Sequence, residues 1–403
     1  MQLDDSASCD AQQARRLLLE LLDAALAKID GRRSVARFMA GYRLPTNARR
    51  IAVAAVGKAA AAMAQGAADA CIDRSSRVLV ITKDGHAEGI AQALPQAETI
   101  EASHPVPDER SMAAGARLLG WVDALAPDEF PVFLISGGAS SLAEHLLPDV
   151  TLGDLAALNR RGLAAGWSIG ELNAARTKLS ALKGGGIARR LRGRAALALF
   201  VSDVPGDDPN VIGSGLLGLD AMLPDSIERH VVASLATALE GVQEATEARG
   251  RRARVRRERF DGPADEVARA FCAALRQSSG EVVAWGGESV VRLPEHPGRG
   301  GRNQHLALTA AHLLRTIPAA CVLAVGTDGT DGATSDAGAL VDSDTIERIE
   351  MAGFDPQLAL AQADSGTVLE ASGDLVHTGP TGTNVCDLLI GMRYDAARRM
   401  PHV

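Results

Sequence analysis

Aromatic side chains are scarce: Phe, Trp and Tyr together make up 3% of the 403 residues. A groove that stacks the bases of single-stranded nucleic acid needs rings at intervals. The formal net charge of −8 also gives no general attraction to phosphate backbones, so no nucleic-acid partner is expected. The five cysteines, Cys9, Cys71, Cys272, Cys321 and Cys386, are scattered, and neither CxxC nor HExxH spacing occurs. That excludes the common structural zinc arrangements and favours reduced thiols in a cytosolic protein. Long apolar runs are missing too. Stretches such as 195–201 fall far short of the roughly 20 residues that span a bilayer, so no membrane partner is expected. The opening MQLDDSASCDAQQARR is acidic and polar, without the basic-then-apolar order of a secretory signal.

Lysine is the most informative scarcity. Of 42 basic residues only five are lysine: Lys28, Lys58, Lys83, Lys178 and Lys183. Where arginine is used almost everywhere, a remaining lysine is a candidate for a place that needs a compact point charge. Four of the five fall in or beside Gly-rich or strand-end segments.

What the chain does contain is a long alternation of strand and helix patterns, in a length sufficient for two domains with their own cores. Helical spacing covers 11–29, and a strand at 49–56 runs through Gly57-Lys58 into an alanine-rich helix at 59–71. Strands follow at 78–82, 98–102 and 131–135, with a helix at 111–126, and the last of these strands empties into Ser136-Gly137-Gly138-Ala139-Ser140-Ser141. Helices are expected at 152–165 and 171–182, the latter presenting Asn173, Arg176 and Lys178 before Lys183-Gly184-Gly185-Gly186. A buried strand at 195–201 leads into Ser202-Asp203-Val204-Pro205-Gly206-Asp207-Asp208. A helix at 226–249 and a basic run at 249–260 come next; the latter has an alternating part that reads as a strand with a solvated arginine face. Beyond it lie a helix at 263–277, strands at 281–285, 290–293 and 319–325, a helix at 305–314, and a last helix after Asn384. Apolar density falls between 248 and 262, which places domains at 1–250 and 260–403. The alternation implies a mostly parallel sheet in each half.

The motifs narrow the chemistry. Gly57-Lys58 lacks the leading glycine and following hydroxyl of a Walker A loop. Gly213-Ser214-Gly215-Leu216-Leu217-Gly218 matches GxGxxG, but it follows an acidic loop rather than a strand, so a dinucleotide fingerprint is discounted. There remain Gly-rich turns at 57, 137–138, 184–186, 286–287, 298–301 and 379–382. With them go acids Asp203, Asp207, Asp328 and Asp331 and bases Lys58, Lys178, Lys183 and Arg302. Phosphoryl transfer uses this mixture, because its catalysis is mainly positioning plus charge neutralisation by Lys, Arg and Mg²⁺.

Nine motifs carry a family resemblance: Val56-Gly57-Lys58-Ala59, His104-Pro105-Val106-Pro107-Asp108, Ile135-Ser136-Gly137-Gly138, Asn173-Ala174-Ala175-Arg176, Lys183-Gly184-Gly185, Ser202-Asp203-Val204-Pro205-Gly206-Asp207, Gly300-Gly301-Arg302-Asn303-Gln304, Gly326-Thr327-Asp328-Gly329 and Thr378-Gly379-Pro380-Thr381-Gly382-Thr383-Asn384. In this order, over about residues 10 to 395, the chain resembles the class II glycerate kinases with a MOFRL C-terminal domain, often labelled hydroxypyruvate reductase.

The resemblance implies an α/β protein of two domains, a larger Rossmann-like one with a parallel sheet and a smaller α/β MOFRL one, with the active site in the cleft they share. It implies ATP- and Mg²⁺-dependent phosphorylation of D-glycerate at the 2-hydroxyl, in small organic acid catabolism. Catalytic roles fall on Lys58, Arg302 and Asp203. Nucleotide contacts fall on Ser136, Gly137, Gly138, Ser140, Asn173, Lys178, Lys183, Gly184, Gly185 and Asp207, and Mg²⁺ on Asp203 and Asp207. Substrate contacts fall on Lys58, Arg302, Asn303, Asp328 and Thr381. The hydroxyl proton goes to Asp203, Asp207 or Asp328. A homodimer is left open. One departure stands out: Ala139 replaces the family's third glycine, which costs about 1 kcal/mol or more if that position needs φ > 0.

Overall fold

The computed structural model describes residues 11–394 apart from 47, 72–73, 88, 168 and 220–225; Cys9 and most of the polar opening segment lie outside the described residues. The chain forms two compact units, one of residues 29–234 with 382–385, the other of 1–28, 235–381 and 386–403. The division thus falls after Ser234 rather than at 248–262, and the opening helix Ala11–Ile29 belongs mainly with the second unit.

The first unit is built on six strands, β1 (Arg50–Val56), β2 (Ser75–Lys83), β3 (Ala97–Ala102), β4 (Glu129–Ile135), β5 (Ala196–Val201) and β6 (Ile227–Ala233). They form one sheet in the order β3-β2-β1-β4-β5-β6, parallel throughout. β4 and β5 are buried at every residue and β1 at all but Arg50, as expected of short apolar runs covered by helices on both faces. The order is that of doubly wound nucleotide-binding sheets. The chain winds outward from β1 to β3, then returns to β4 and winds the other way, so connections leave β1 and β4 in opposite directions. Ligands bind at such a switch point, beyond the carboxyl ends of the strands. Val56 pairs with Ile135, so the turns after β1 and β4 start level.

Two helix expectations change here. Residues 226–249 divide into β6 and the helix Leu235–Glu247, because the β-branched stretch around Val231 and Val232 pairs along the open side of β5. The helix over 171–182 is Ile169–Thr177, and Ser180 instead bridges Leu146.

The second unit holds β7 (Ala253–Val255), β8 (Val282–Gly287), β9 (Ala320–Gly326), β10 (Gly338–Asp342), β11 (Leu375–Val376) and β12 (Asp387–Arg393), in the order β11-β10-β9-β12-β8-β7. Only β7 and β8 run parallel; the other four pairings are antiparallel. This corrects the expected parallel sheet. A loop rather than a helix joins β9 to β10, allowing a direct reversal. The segment expected as a last helix is β12, inserted between β8 and β9 and buried except at Arg393. A short run with an apolar middle, buried on both faces, has no periodicity to separate helix from strand. The expected strand 290–293 is reduced to one bridge between Pro263 and Val290. The opening helix is held in this unit by Arg15, which donates to Asp342 at 2.5 Å and Asp374 at 2.8 Å.

Candidate active site

The turn after β1 exists only because residue 57 is glycine. Its φ is +132°, and a Cβ there would lie 2.1 Å from Ser136 Oγ and 2.6 Å from Ser136 O. Through that contact the two post-strand turns are stitched together. The Ser136 N–H donates to Val56 O at 3.0 Å, the Lys58 N–H to Gly137 O at 2.9 Å, and the Ala59 N–H to Ser136 Oγ at 3.0 Å. Lys58 is therefore presented at the switch point by backbone bonds. Gly57→Ala should cost at least about 2 kcal/mol, combining left-handed strain with a backbone clash; a lowered melting temperature together with lost activity would register it.

Gly137 and Gly138 admit other side chains to the same turn. A Cβ on Gly137 would lie 2.0 Å from Asp203 Oδ2, and one on Gly138 3.1 Å from the His104 ring and 3.3 Å from Lys58 Cγ. Asp203, just beyond β5, also accepts from Asn384 Nδ2 at 3.2 Å. Gly138 takes φ +85°, whereas Ala139 opens the short helix Ala139–Leu142 in right-handed geometry. The alanine at the family's third glycine position thus carries no strain.

Beside this turn lies a cavity of about 380 Å³, lined among others by His104, Ser140, Arg176, Lys183, Asp203 and Ser214, within the usual size of small-ligand sites. The Ser140 and Ser214 hydroxyls are 2.7 Å apart, and Asn173 lines the same wall. Ser136 is fully buried and serves the turn itself. Lys183 differs from its expected role. Its ammonium is buried and donates to buried Glu144, which also accepts from Ser180 Oγ at 2.6 Å and the His145 N–H at 3.0 Å. Burial lowers the Lys183 pKa, with Glu144 opposing the shift. The Gly184 and Gly185 N–H groups bond the Ser214 and Gly215 carbonyls at 3.0 and 2.7 Å. This turn braces the cavity wall and leaves these donors engaged within the protein. Lys178 is exposed, and neither it nor Asp207, in the turn Pro205–Asp207, lines the cavity.

In the second unit, Arg302 opens the helix Arg302–Leu314. Its Nε and Nη2 donate to buried Asp387 at 2.7 and 3.0 Å, and its Nη1 to Glu288 at 2.5 Å. Burial works against this charge, but Asp387 and Glu288 raise its pKa overall. Asp331 caps the same helix by accepting from the Asn303 and Gln304 N–H groups at 3.0 and 2.7 Å. Burial nevertheless pushes the Asp331 pKa up to about 7. A side chain at Gly301 would begin 2.3 Å from Asp331 Cγ, so the glycine before Arg302 makes room for the cap. Asn303 is buried and also donates its Nδ2 to Asp331 at 3.3 Å. Asp328 accepts from Thr330, and Thr381 Oγ1 donates to Thr327 O at 2.6 Å. Arg302→Ala leaves Asp387 buried without its cation and should cost about 3 kcal/mol, so its melting temperature must be measured beside its activity.

Residues 17–242 match the family model described as Domain of unknown function (DUF4147), and residues 281–387 match the MOFRL family. A D-glycerate 2-kinase of Thermotoga maritima is 32% identical over 421 residues, covering 95% of this chain and 99% of that protein. The chain belongs to the glycerate kinase family. The crystal structure of a glycerate kinase from Thermotoga maritima superimposes with a TM-score of 0.85 at 33% identity, covering 95% of this chain and all of the other. A protein of Agrobacterium vitis, 36% identical with 93% of each chain covered, bears the name putative hydroxypyruvate reductase.

The geometry bears on that second name. In a dinucleotide-binding sheet the GxGxxG turn follows the first strand. Here that position is Val56-Gly57-Lys58-Ala59, while Gly213-Ser214-Gly215 forms a separate turn, Ile212–Ser214 with its cap. The pattern GxSxG does occur, at Gly166-Trp167-Ser168-Ile169-Gly170. It follows the helix Leu152–Ala164 rather than a strand, so it is not a nucleophile elbow, and Ser168 lies outside the described residues. Glu144, Arg176, Asn384 and Asp387 also gain significance only in the structure. Arg176 and Asn384 lie inside family motifs, but nothing in the sequence marks the buried carboxylates.

Proposed function

We propose that the protein transfers the γ-phosphoryl group of ATP to the 2-hydroxyl of D-glycerate, with Mg²⁺, in the cytoplasm. The observation that carries this reading is Lys58, held by backbone bonds at the switch point of a doubly wound sheet, with Asp203 against the neighbouring glycine turn. A lysine there neutralises charge on the transferring group, and the glycine backbones admit phosphate oxygens closely.

In the reaction the substrate hydroxyl oxygen forms a bond to the γ-phosphorus, the bridging P–O bond breaks, and ADP leaves. Such a transition state is loose and asks little of a base. Of the three candidate acids only Asp203 lines the cavity, and it is the acceptor we assign. Among the described residues no three His, Cys, Asp or Glu side chains converge as a metal cage. A site with one or two carboxylates fits Mg²⁺ held largely by phosphate oxygens and water, and Asp203 would hold it. When bound, Mg²⁺ neutralises phosphate charge. Arg302 keeps two of its five N–H bonds beyond those given to Asp387 and Glu288, enough to grip a carboxylate in its prearranged plane.

The test is ³¹P NMR of the purified protein with D-glycerate, ATP and Mg²⁺, beside a control with hydroxypyruvate and NADH. A 2-phosphoglycerate signal with no NADH oxidation is expected. A 3-phosphoglycerate signal would reverse the assigned hydroxyl, and NADH consumption would overturn the kinase reading.

A further inference from the structure

Arginines in this protein are commonly matched to carboxylates: Arg32 to Asp69, Arg302 to Asp387, and Arg348 to Asp342 and Asp374. Arg176, on the cavity wall, is different. Its Nε donates to Asn159 Oδ1 at 2.8 Å and its Nη1 to Asn173 Oδ1 at 3.2 Å. Among the described residues no carboxylate forms an ion pair with it; Glu144, already paired with Lys183, acts on it only at longer range and opposes the effect of burial. Asn173 and Arg176 lie three apart on the helix Ile169–Thr177, on one face, and Asn159 comes from the helix Leu152–Ala164.

Amide oxygens orient a guanidinium as a carboxylate would, but they leave its charge in place. Among the described residues the other lysine or arginine on the cavity is Lys183, which is neutralised by Glu144.

We propose that Arg176 is the cation that binds the phosphate chain of the nucleotide in this cavity, fixed in orientation but not neutralised by Asn159 and Asn173. This rests on the kinase reading above. The planar fork matches two phosphate oxygens at once. Half-burial lowers the proton affinity of the group through lost solvation, which a bound anion would offset. The Ser140 and Ser214 hydroxyls add neutral donors on the same cavity.

The test is isothermal titration of the full chain with ADP and, separately, adenosine. Arg176→Gln should weaken ADP binding on the order of 10- to 100-fold, the range for charge-assisted bonds to phosphate, and leave adenosine within about twofold. Asn173→Asp is the sharper variant. It keeps the acceptor and shape but adds the missing negative charge, so ADP affinity should fall about tenfold while the melting temperature holds. It also carries the test if Arg176→Gln does not fold. Unchanged ADP affinity in folded variants would overturn the proposal. So would equal losses for ADP and adenosine, which would make Arg176 a structural residue, or a raised KM for D-glycerate with unaltered ADP binding, which would make the acid its ligand. If the wild-type protein bound no ADP, the kinase reading itself would fall first.

Discussion

Lys58→Met should lower phosphoryl transfer by about 10³-fold, the scale set by removing one well-placed electrostatic group from a transition state, while the protein remains folded. The expectation follows from how the turn is made. The Lys58 N–H to Gly137 bond and the Ala59 N–H to Ser136 bond belong to the backbone, and methionine keeps both. Its unbranched stem also replaces the lysine methylenes beside Gly138, leaving only the charge removed. Initial rates of ADP release and a thermal melt on the same preparation decide the matter. Substantial remaining activity would remove Lys58 from the mechanism, and a lost melting transition would mean that the side chain holds the turn as well.

Glu144→Leu should destabilise the first unit by about 3–5 kcal/mol, because it strands the buried Lys183 ammonium without its carboxylate. For a unit of this size the melting temperature should fall by about 10 °C. The double variant Glu144→Leu with Lys183→Met should recover most of that loss, since an apolar pair of similar volume removes both desolvated charges together. It also separates two roles for Lys183. A stable double variant with an unchanged KM for ATP makes the pair a structural brace, whereas a stable one with a greatly raised KM returns Lys183 to the phosphate, as its motif implies.

The legible parts of the site were those encoded within a few residues. Gly57-Lys58, Ser136-Gly137-Gly138 and Asp203 each follow an apolar run that could be read as a strand, and each turn needs glycine or a short polar group for local reasons. The first sheet was equally readable, because parallel strands buried on both faces appear as short apolar runs separated by helices. The same signal misled in the second half. Nothing in DLLIGMR distinguishes a helix from a central strand, and alternation says nothing of direction when a loop can reverse the chain between β9 and β10.

The sequence by itself determined the strand-turn-helix units, the glycines that permit close approach, and the family to which the chain belongs, since all of these rest on residue type and short spacing. Tertiary structure alone decided which charges remain available. Lys183 and Arg176 look alike in the sequence, each a cation within a family motif. The fold gives Lys183 a direct bond to a carboxylate from 39 positions earlier, whereas the direct bonds of Arg176 go to two amide oxygens. Whether a charge is neutralised depends on what chain folding brings within about 4 Å of it, and electrostatic coupling at that range does not follow sequence distance.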